Sequence, residues 1–402
     1  MSLWPRRRAA RWGLAGALGV VAAPLAAVAV LCATSGCASV DYLGQSAVGH
    51  FSLLHAARPV QDAIADPLVP EPLRMRLQLT QRMRDFAVQE LKLPDNASYR
   101  SYADLKRSAA VWNVVAAPEL SLKLQTWCFP IVGCVGYRGY YDKASADAAA
   151  EPLRAEGLDV GVYPVPAYST LGWMNWLGGD PLLSTFLQWP EGELAQLMFH
   201  ELAHQVAYAA GDTTFNESFA TAVERIGSKR WLEANATPDV REQQAAIEAR
   251  RQDFRHLVRA CRDELDAVYK SDLPDVDKRA RKAELLARLG EDYATMKRER
   301  WNGFKGYDRW FAEVNNAALG AQAAYDDKVE TFQRLFEAEG EDFTRFYAEV
   351  RRLAALPKKE RDDVLGGLTT PSLLPSLPPE GELGSTRVRP SLPERSAASI
   401  SG

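Results

Sequence analysis

Five consecutive residues, His200-Glu201-Leu202-Ala203-His204, constrain this chain more than any other stretch. Residues four apart on an α-helix stack on one face. Both imidazoles can then reach a single metal ion, with Glu201 beside them to act on a bound water. The flanking residues predict that helix. Pro190 and Glu191 suit a helix start, and Glu191 and Glu193 suit its positive end. Leu194, Met198, Leu202 and Val206 form one apolar stripe, and the two histidines share a different face. Gly211 and Asp212 are expected to end the helix. The competing reading is two helical histidines with no ligand.

The next segment weakens that competitor. Phe215-Asn216-Glu217-Ser218-Phe219-Ala220 opens a second helical stretch expected to reach Glu233, and a gap of twelve residues separates His204 from Glu217. An antiparallel helix pair would aim Glu217 back at the histidines. His200, His204 and Glu217 then leave a fourth position open for water, the arrangement of catalytic zinc. Glu224 is the runner-up ligand and reads better as a group behind the ligands. The Asn-Glu-x-Phe-Ala string resembles the third-ligand motif of gluzincin metallopeptidases, with a shorter connection than is usual there. In such a site Glu201 serves as general base. An oxyanion donor is also needed, with Tyr208, Tyr168, Tyr140 and Tyr137 as candidates; the sequence does not choose among them, each also reads as a packing residue, and Tyr208, one turn beyond His204, stands first.

Around this pair the pattern predicts α+β: a small antiparallel sheet region, then a predominantly helical, zincin-like domain with long C-terminal helices. Residues 37–108 read as helical, 109–190 as sheet and loop, and 191–367 as helical with the metal site. Strands are expected at Ala110–Ala116, Leu120–Trp127, Cys134–Tyr141 and Asp159–Val165, with a short helix from Ala144 to Glu156. Gly133–Tyr141 or Asp159–Val165 could supply an edge for substrate pairing. Residues 239–300, dense in Arg, Glu and Ala, read as long solvated helices with a break at Asp272-Leu-Pro-Asp.

The ends read differently. Arg6, Arg7, Arg8 and Arg11 precede an uncharged run from Gly13 to Leu31, and then Thr34-Ser35-Gly36-Cys37. Residues 1–36 are expected to be a lipoprotein-type signal peptide with Cys37 lipidated, although Thr34 stands where Leu is usual. The alternative is an uncleaved single-span anchor. Either places the body outside the cytoplasm. Ala38 after the cysteine resembles an outer-membrane address. The net charge is −4 over 402 residues; losing four Arg and no acid makes it −4 − 4 = −8. That balance gives no sign of a nucleic-acid partner. Residues 368–402, rich in Pro and Ser, are expected to be a disordered tail. In an oxidising compartment Cys128 and Cys134 could pair, with two buried free thiols as the alternative.

The strings Cys128-Phe-Pro through Tyr141, Tyr168 to Trp173, Asp180 to Thr185, His200 to His204 and Asn216 to Ala220 together resemble a family of bacterial predicted aminopeptidases. The resemblance runs from about Gly44 to Leu365 and takes in Tyr307 to Phe311 and Asn315-Asn316. It implies a one-zinc metallopeptidase acting on peptide substrates in the cell envelope, tethered to the membrane by a lipid and facing the periplasm. The alternatives are an envelope endopeptidase and a non-catalytic scaffold stapled by its metal.

Overall fold

A computed structural model of the chain describes residues 37–129, 133–167, 179–326 and 328–369. The expected signal peptide, Tyr168 and residues 370–402 of the expected tail lie outside the described residues. The chain opens with helix α1 (Cys37–His55), strand β1 (Ala57–Pro59) and helices α2 (Val60–Ala65) and α3 (Glu71–Gln89). Strands β2 (Ser101–Ala103), β3 (Val111–Ala117), β4 (Trp127–Phe129), β5 (Gly133–Val135) and β6 (Arg138–Tyr140) follow. Helix α4 (Lys143–Ala155) leads to β7 (Asp159–Val165) and the two-residue β8 (Leu182–Leu183). Every described element after that is helical: α5 (Glu191–Ala203), α6 (Thr213–Asn235), α7 (Pro238–Lys270), α8 (Asp275–Glu299), α9 (Asp308–Ala312), α10 (Asn316–Asp326), α11 (Val329–Ala338), α12 (Phe343–Ala354) and α13 (Lys358–Thr369). This is the expected α+β order, mostly helical.

Strand β3 shows why the small sheet forms. Its Val-Trp-Asn-Val-Val-Ala-Ala run is apolar on both faces because both faces are covered. Side chains alternate across a strand, so Val114 and Ala116 pack with Ala146 and Ala150 of α4. Val115 and Ala117 pack on the other side with Ala317 and Ala321 of α10. Alanine on each helix keeps the layers close. β3 is the centre of an antiparallel sheet ordered β6-β3-β7, with Val111 opposite Val165 and Ala117 opposite Asp159.

Several features depart from the sequence pattern. The alternation Leu120-Leu122-Leu124 does not make a strand over Leu120–Trp127; only Trp127–Phe129 pairs, as β4 with β5. Leu122 instead packs into the α7–α8 cluster and Leu124 against the β3–α10 cluster. The alternation therefore serves two separate cores in an irregular segment. The second departure is the sheet β1-β2-β8, whose strands of two or three residues are too short to show alternation. The expected strand Cys134–Tyr141 is divided into β5 and β6, which lie in different sheets, and helix α13 continues to Thr369, two residues into the expected tail.

The main core gathers α3, α5, α6, α11 and α12. Helices α7 and α8 form an antiparallel hairpin, broken at Pro274 as expected, around a second core of Phe254, Val258, Cys261, Leu265, Leu289 and Tyr293. Burial pushes the Cys261 thiol up to about 11. A polar knot ties this hairpin to β7. Lys282 Nζ donates to Asp159 Oδ2 at 2.6 Å and to the Glu119 carbonyl at 3.0 Å. The fully buried Asn316 donates to the Pro118 and Glu119 carbonyls and accepts from Tyr269. Asn315 donates to the Val160 carbonyl at 3.1 Å. The Asn315-Asn316 pair thus anchors the start of β7. Among the described residues, no helix is long and apolar enough to cross a membrane.

Candidate metal centre

Helix α5 buries Leu194, Met198 and Leu202 completely, which turns His200 toward α6. The helix ends at Ala203, earlier than Gly211-Asp212. His204 is its C-cap, still with helical φ and ψ, and stays one turn from His200. The connection Gln205–Asp212 is then pinned at three points. The Asn216 side chain exchanges two hydrogen bonds with the Ala209 backbone, at 2.7 and 2.9 Å. Asp212 caps α6 by accepting from the Phe215 N–H at 3.2 Å. The β4–β5 ribbon, closed by the Cys128–Cys134 disulfide, presses Gly133 against Gly211. A Cβ on Gly133 would stand 2.6 Å from the Gly211 nitrogen, and its φ is +76°, so glycine is required there on two counts.

These pins bring Glu217 to the histidines. His200 Nε2 and His204 Nε2 are 3.2 Å apart; Glu217 Oε2 is 3.2 Å from the first and 3.7 Å from the second. Ligand atoms bound at 2.0–2.1 Å to a small tetrahedral cation would stand about 3.3 Å apart. Tautomer chemistry agrees. His200 Nδ1 lies 2.8 Å from Glu224 Oε2. An ionised carboxylate only accepts, so Nδ1 is the donor there, and in the neutral ring that a metal requires Nε2 is left with its lone pair at the shared point. Among the described residues, His200, His204 and Glu217 form the group able to hold a metal ion. Glu224 stands behind His200, on the side of the ring away from the shared point. His55 and His256 are exposed and outside the group.

The electrostatics suit a cation. Burial drags the His200 imidazole down, but the Glu217 and Glu224 carboxylates outweigh it and hold His200 well above its ordinary value. Burial would raise Glu217; the His204 and His200 imidazoles reverse this and hold it far below the carboxylate range. Burial raises Glu201, against the pull of both imidazoles.

An open cleft of about 370 Å³ is lined by His200, Glu201, Glu224, Val165, Pro166 and Ala167, among others. The end of β7, one of the two edge candidates, therefore lines the cleft. Of the tyrosine candidates, burial and then the Glu217 charge raise both Tyr208 and Tyr137. Tyr140 packs away from the site, against α4 and β3. The sequence reading missed Tyr163, which is raised by burial and, more weakly, by Glu217. It also missed Tyr99, a buried non-glycine at φ 64°, whose phenol is raised by burial and then by Glu201. Arg251 and Arg255 were missed too: they lie on α7, read as a solvated helix, yet line the cleft. Only the alternation of β7, which puts Tyr163 opposite Asn113, could have hinted at any of these.

The model of one protein family, described as "Putative aminopeptidase", matches residues 41–365. No curated protein and no solved structure matches the chain.

Proposed function

We propose, for a chain that belongs to the aminopeptidase family just described, that His200, His204 and Glu217 hold one zinc ion and that Glu201 is the general base of peptide hydrolysis. The observation that carries this reading is the convergence of two imidazole nitrogens and one carboxylate oxygen at tetrahedral ligand spacing, beside Glu201, in an open cleft. Zinc, when bound, lowers the pKa of a water and polarises a carbonyl.

The chain's own groups do the rest. Glu201 takes the attacking water's proton and returns it to the leaving amine. Glu224 fixes the ring orientation and tautomer of His200. Tyr208, Tyr137 and Tyr163, all raised above the ordinary phenol value, stay protonated at neutral pH and can donate to the developing oxyanion. Tyr208 is the donor we assign. The backbone at the end of β7 positions an extended substrate by strand pairing. The three-ligand set supports catalysis over a closed structural site, as does a base that a metal staple would not need.

The gluzincin likeness of the Asn-Glu-x-Phe-Ala string supports the same ligand set. We place the protein in the bacterial cell envelope, lipidated at Cys37, facing the periplasm from the outer membrane. The Arg-rich start and the Cys128–Cys134 disulfide support that address. The test of exo-acting cleavage is hydrolysis of paired peptides with free and acetylated N-termini. Release of the first residue from free peptides alone is expected; cleavage of the acetylated partner makes the enzyme an endopeptidase. Glu224→Gln is expected to weaken zinc binding about 10–100-fold, read by chelator competition. Unchanged affinity would remove Glu224 from the account.

A further inference from the structure

Three guanidinium groups, those of Arg225, Arg251 and Arg255, line the cleft together with His200 and Glu201. Among the described lining residues the carboxylates are Glu201 and Glu224. Glu201 is the base in the mechanism above, and Glu224 is engaged with His200. A free α-amine calls for carboxylates to receive it, yet this lining brings arginines.

Arg251 is a guanidinium held in a fixed position, its charge paired with the Glu193 and Glu248 carboxylates. It comes from α7 but is held by α5, the helix that carries His200 and Glu201. Its Nη2 bonds Glu193, and its Nη1 donates to Gln196 at 2.9 Å and to Glu248 at 3.0 Å. Glu193 and Gln196 sit about two turns and one turn before His200 on α5. These bonds occupy three of the five N–H donors of a guanidinium. Among the described residues Nε–H and one Nη2–H carry no hydrogen bond. Arg255 is set beside it by its own bond to Glu248, at 2.5 Å. Held at fixed distance from the base, a planar fork of this kind matches a carboxylate.

We propose that Arg251 binds a substrate carboxylate, so that the preferred substrates are peptides carrying a carboxylate close to the scissile bond. This rests on the peptidase reading above and names its substrate class. The carboxylate can be the C-terminus of a very short peptide or an acidic side chain, and the two sources separate experimentally.

The test is calorimetric binding to the zinc-loaded Glu201→Gln chain, which removes turnover. Dialanine is compared with dialanine amide, and alanyl-aspartic acid amide with alanyl-asparagine amide. The carboxylate member of at least one pair is expected to bind about tenfold tighter or more. A preference in the first pair identifies the terminus, and in the second the side chain. In Arg251→Met the ratio is expected to fall toward one, with part of it kept in Arg251→Lys. A structural loss would weaken both members alike and leave the ratio intact. Equal affinity in both pairs, including no binding, overturns the proposal. So does a preference that survives in Arg251→Met, whether or not both members bind more weakly, because the ratio would then not depend on this guanidinium. Failure of the peptidase reading looks different: the wild-type chain would bind these peptides with the same preference and hydrolyse none of them.

Discussion

Glu201→Gln is expected to lose about 10²- to 10⁴-fold in kcat, the usual contribution of a positioned acid–base group, while keeping its zinc. The substitution preserves size and hydrogen bonding but cannot accept a proton. The three proposed ligands are untouched, so zinc content serves as the internal control. Burial raises the Glu201 carboxyl against the lowering pull of the two imidazoles. A base with a raised pKa takes up its proton earlier as pH falls. The wild-type rate profile should carry an acid limb where this carboxylate takes up its proton. The residual rate of the Gln variant should lack that limb. Wild-type activity in Glu201→Gln would remove it from the mechanism.

Arg361→Met is expected to cost about 3–5 kcal/mol of stability, the range for breaking a buried ion pair from one side. Arg361 donates from Nε at 3.2 Å and from Nη2 at 2.8 Å to the same oxygen of Asp212. The two side chains are only 4% and 2% exposed, so water cannot replace the lost partner. Lys358, 3.1 Å away, is largely exposed and is a weak substitute. Arg361 also donates to the Ala354 and Leu356 carbonyls at the end of α12 and lies over the Phe215 ring. Because Asp212 caps the helix that carries Glu217, the loss falls on the connection between the ligands.

The double variant Asp212→Asn with Arg361→Met leaves no buried charge unpaired and keeps a capping side chain. It should recover part of the loss in urea unfolding. If the double variant is less stable than Arg361→Met, the charge explanation is wrong. The pH dependence has a definite sign. Burial works against the Asp212 carboxylate, but Arg361 and Lys358 hold it below its ordinary value of 3.8. Its contribution is therefore fully present above that value and is lost as pH falls through the lower folded one.

The elements that carry the ligands were legible because their signals are local. The Leu194-Met198-Leu202 stripe orients α5, and the β7 alternation gives that strand to the residue, whereas Asp212, read as the end of α5, is the cap of α6. Pro274 breaks the α7–α8 hairpin where the sequence indicates. What stayed hidden depends on partners far along the chain. The stretch Leu120–Leu124 alternates like a strand because its leucines fill two different cores. Arg251 sits on a helix whose composition reads as solvated, and only its bonds to Glu193 and Gln196, more than fifty residues earlier, turn it to the cleft. The Asp212–Arg361 pair spans 149 residues, so neither residue signals the other in sequence. Cleft walls are assembled by packing, and no periodicity encodes them.

The most direct test of the central claim is the zinc content of the purified, folded chain after dialysis against a weak chelator, for the wild type and for His204→Ala and Glu217→Ala. One zinc per chain in the wild type and none in either variant is the predicted result. No zinc in the wild type, or one zinc retained in Glu217→Ala, would contradict it.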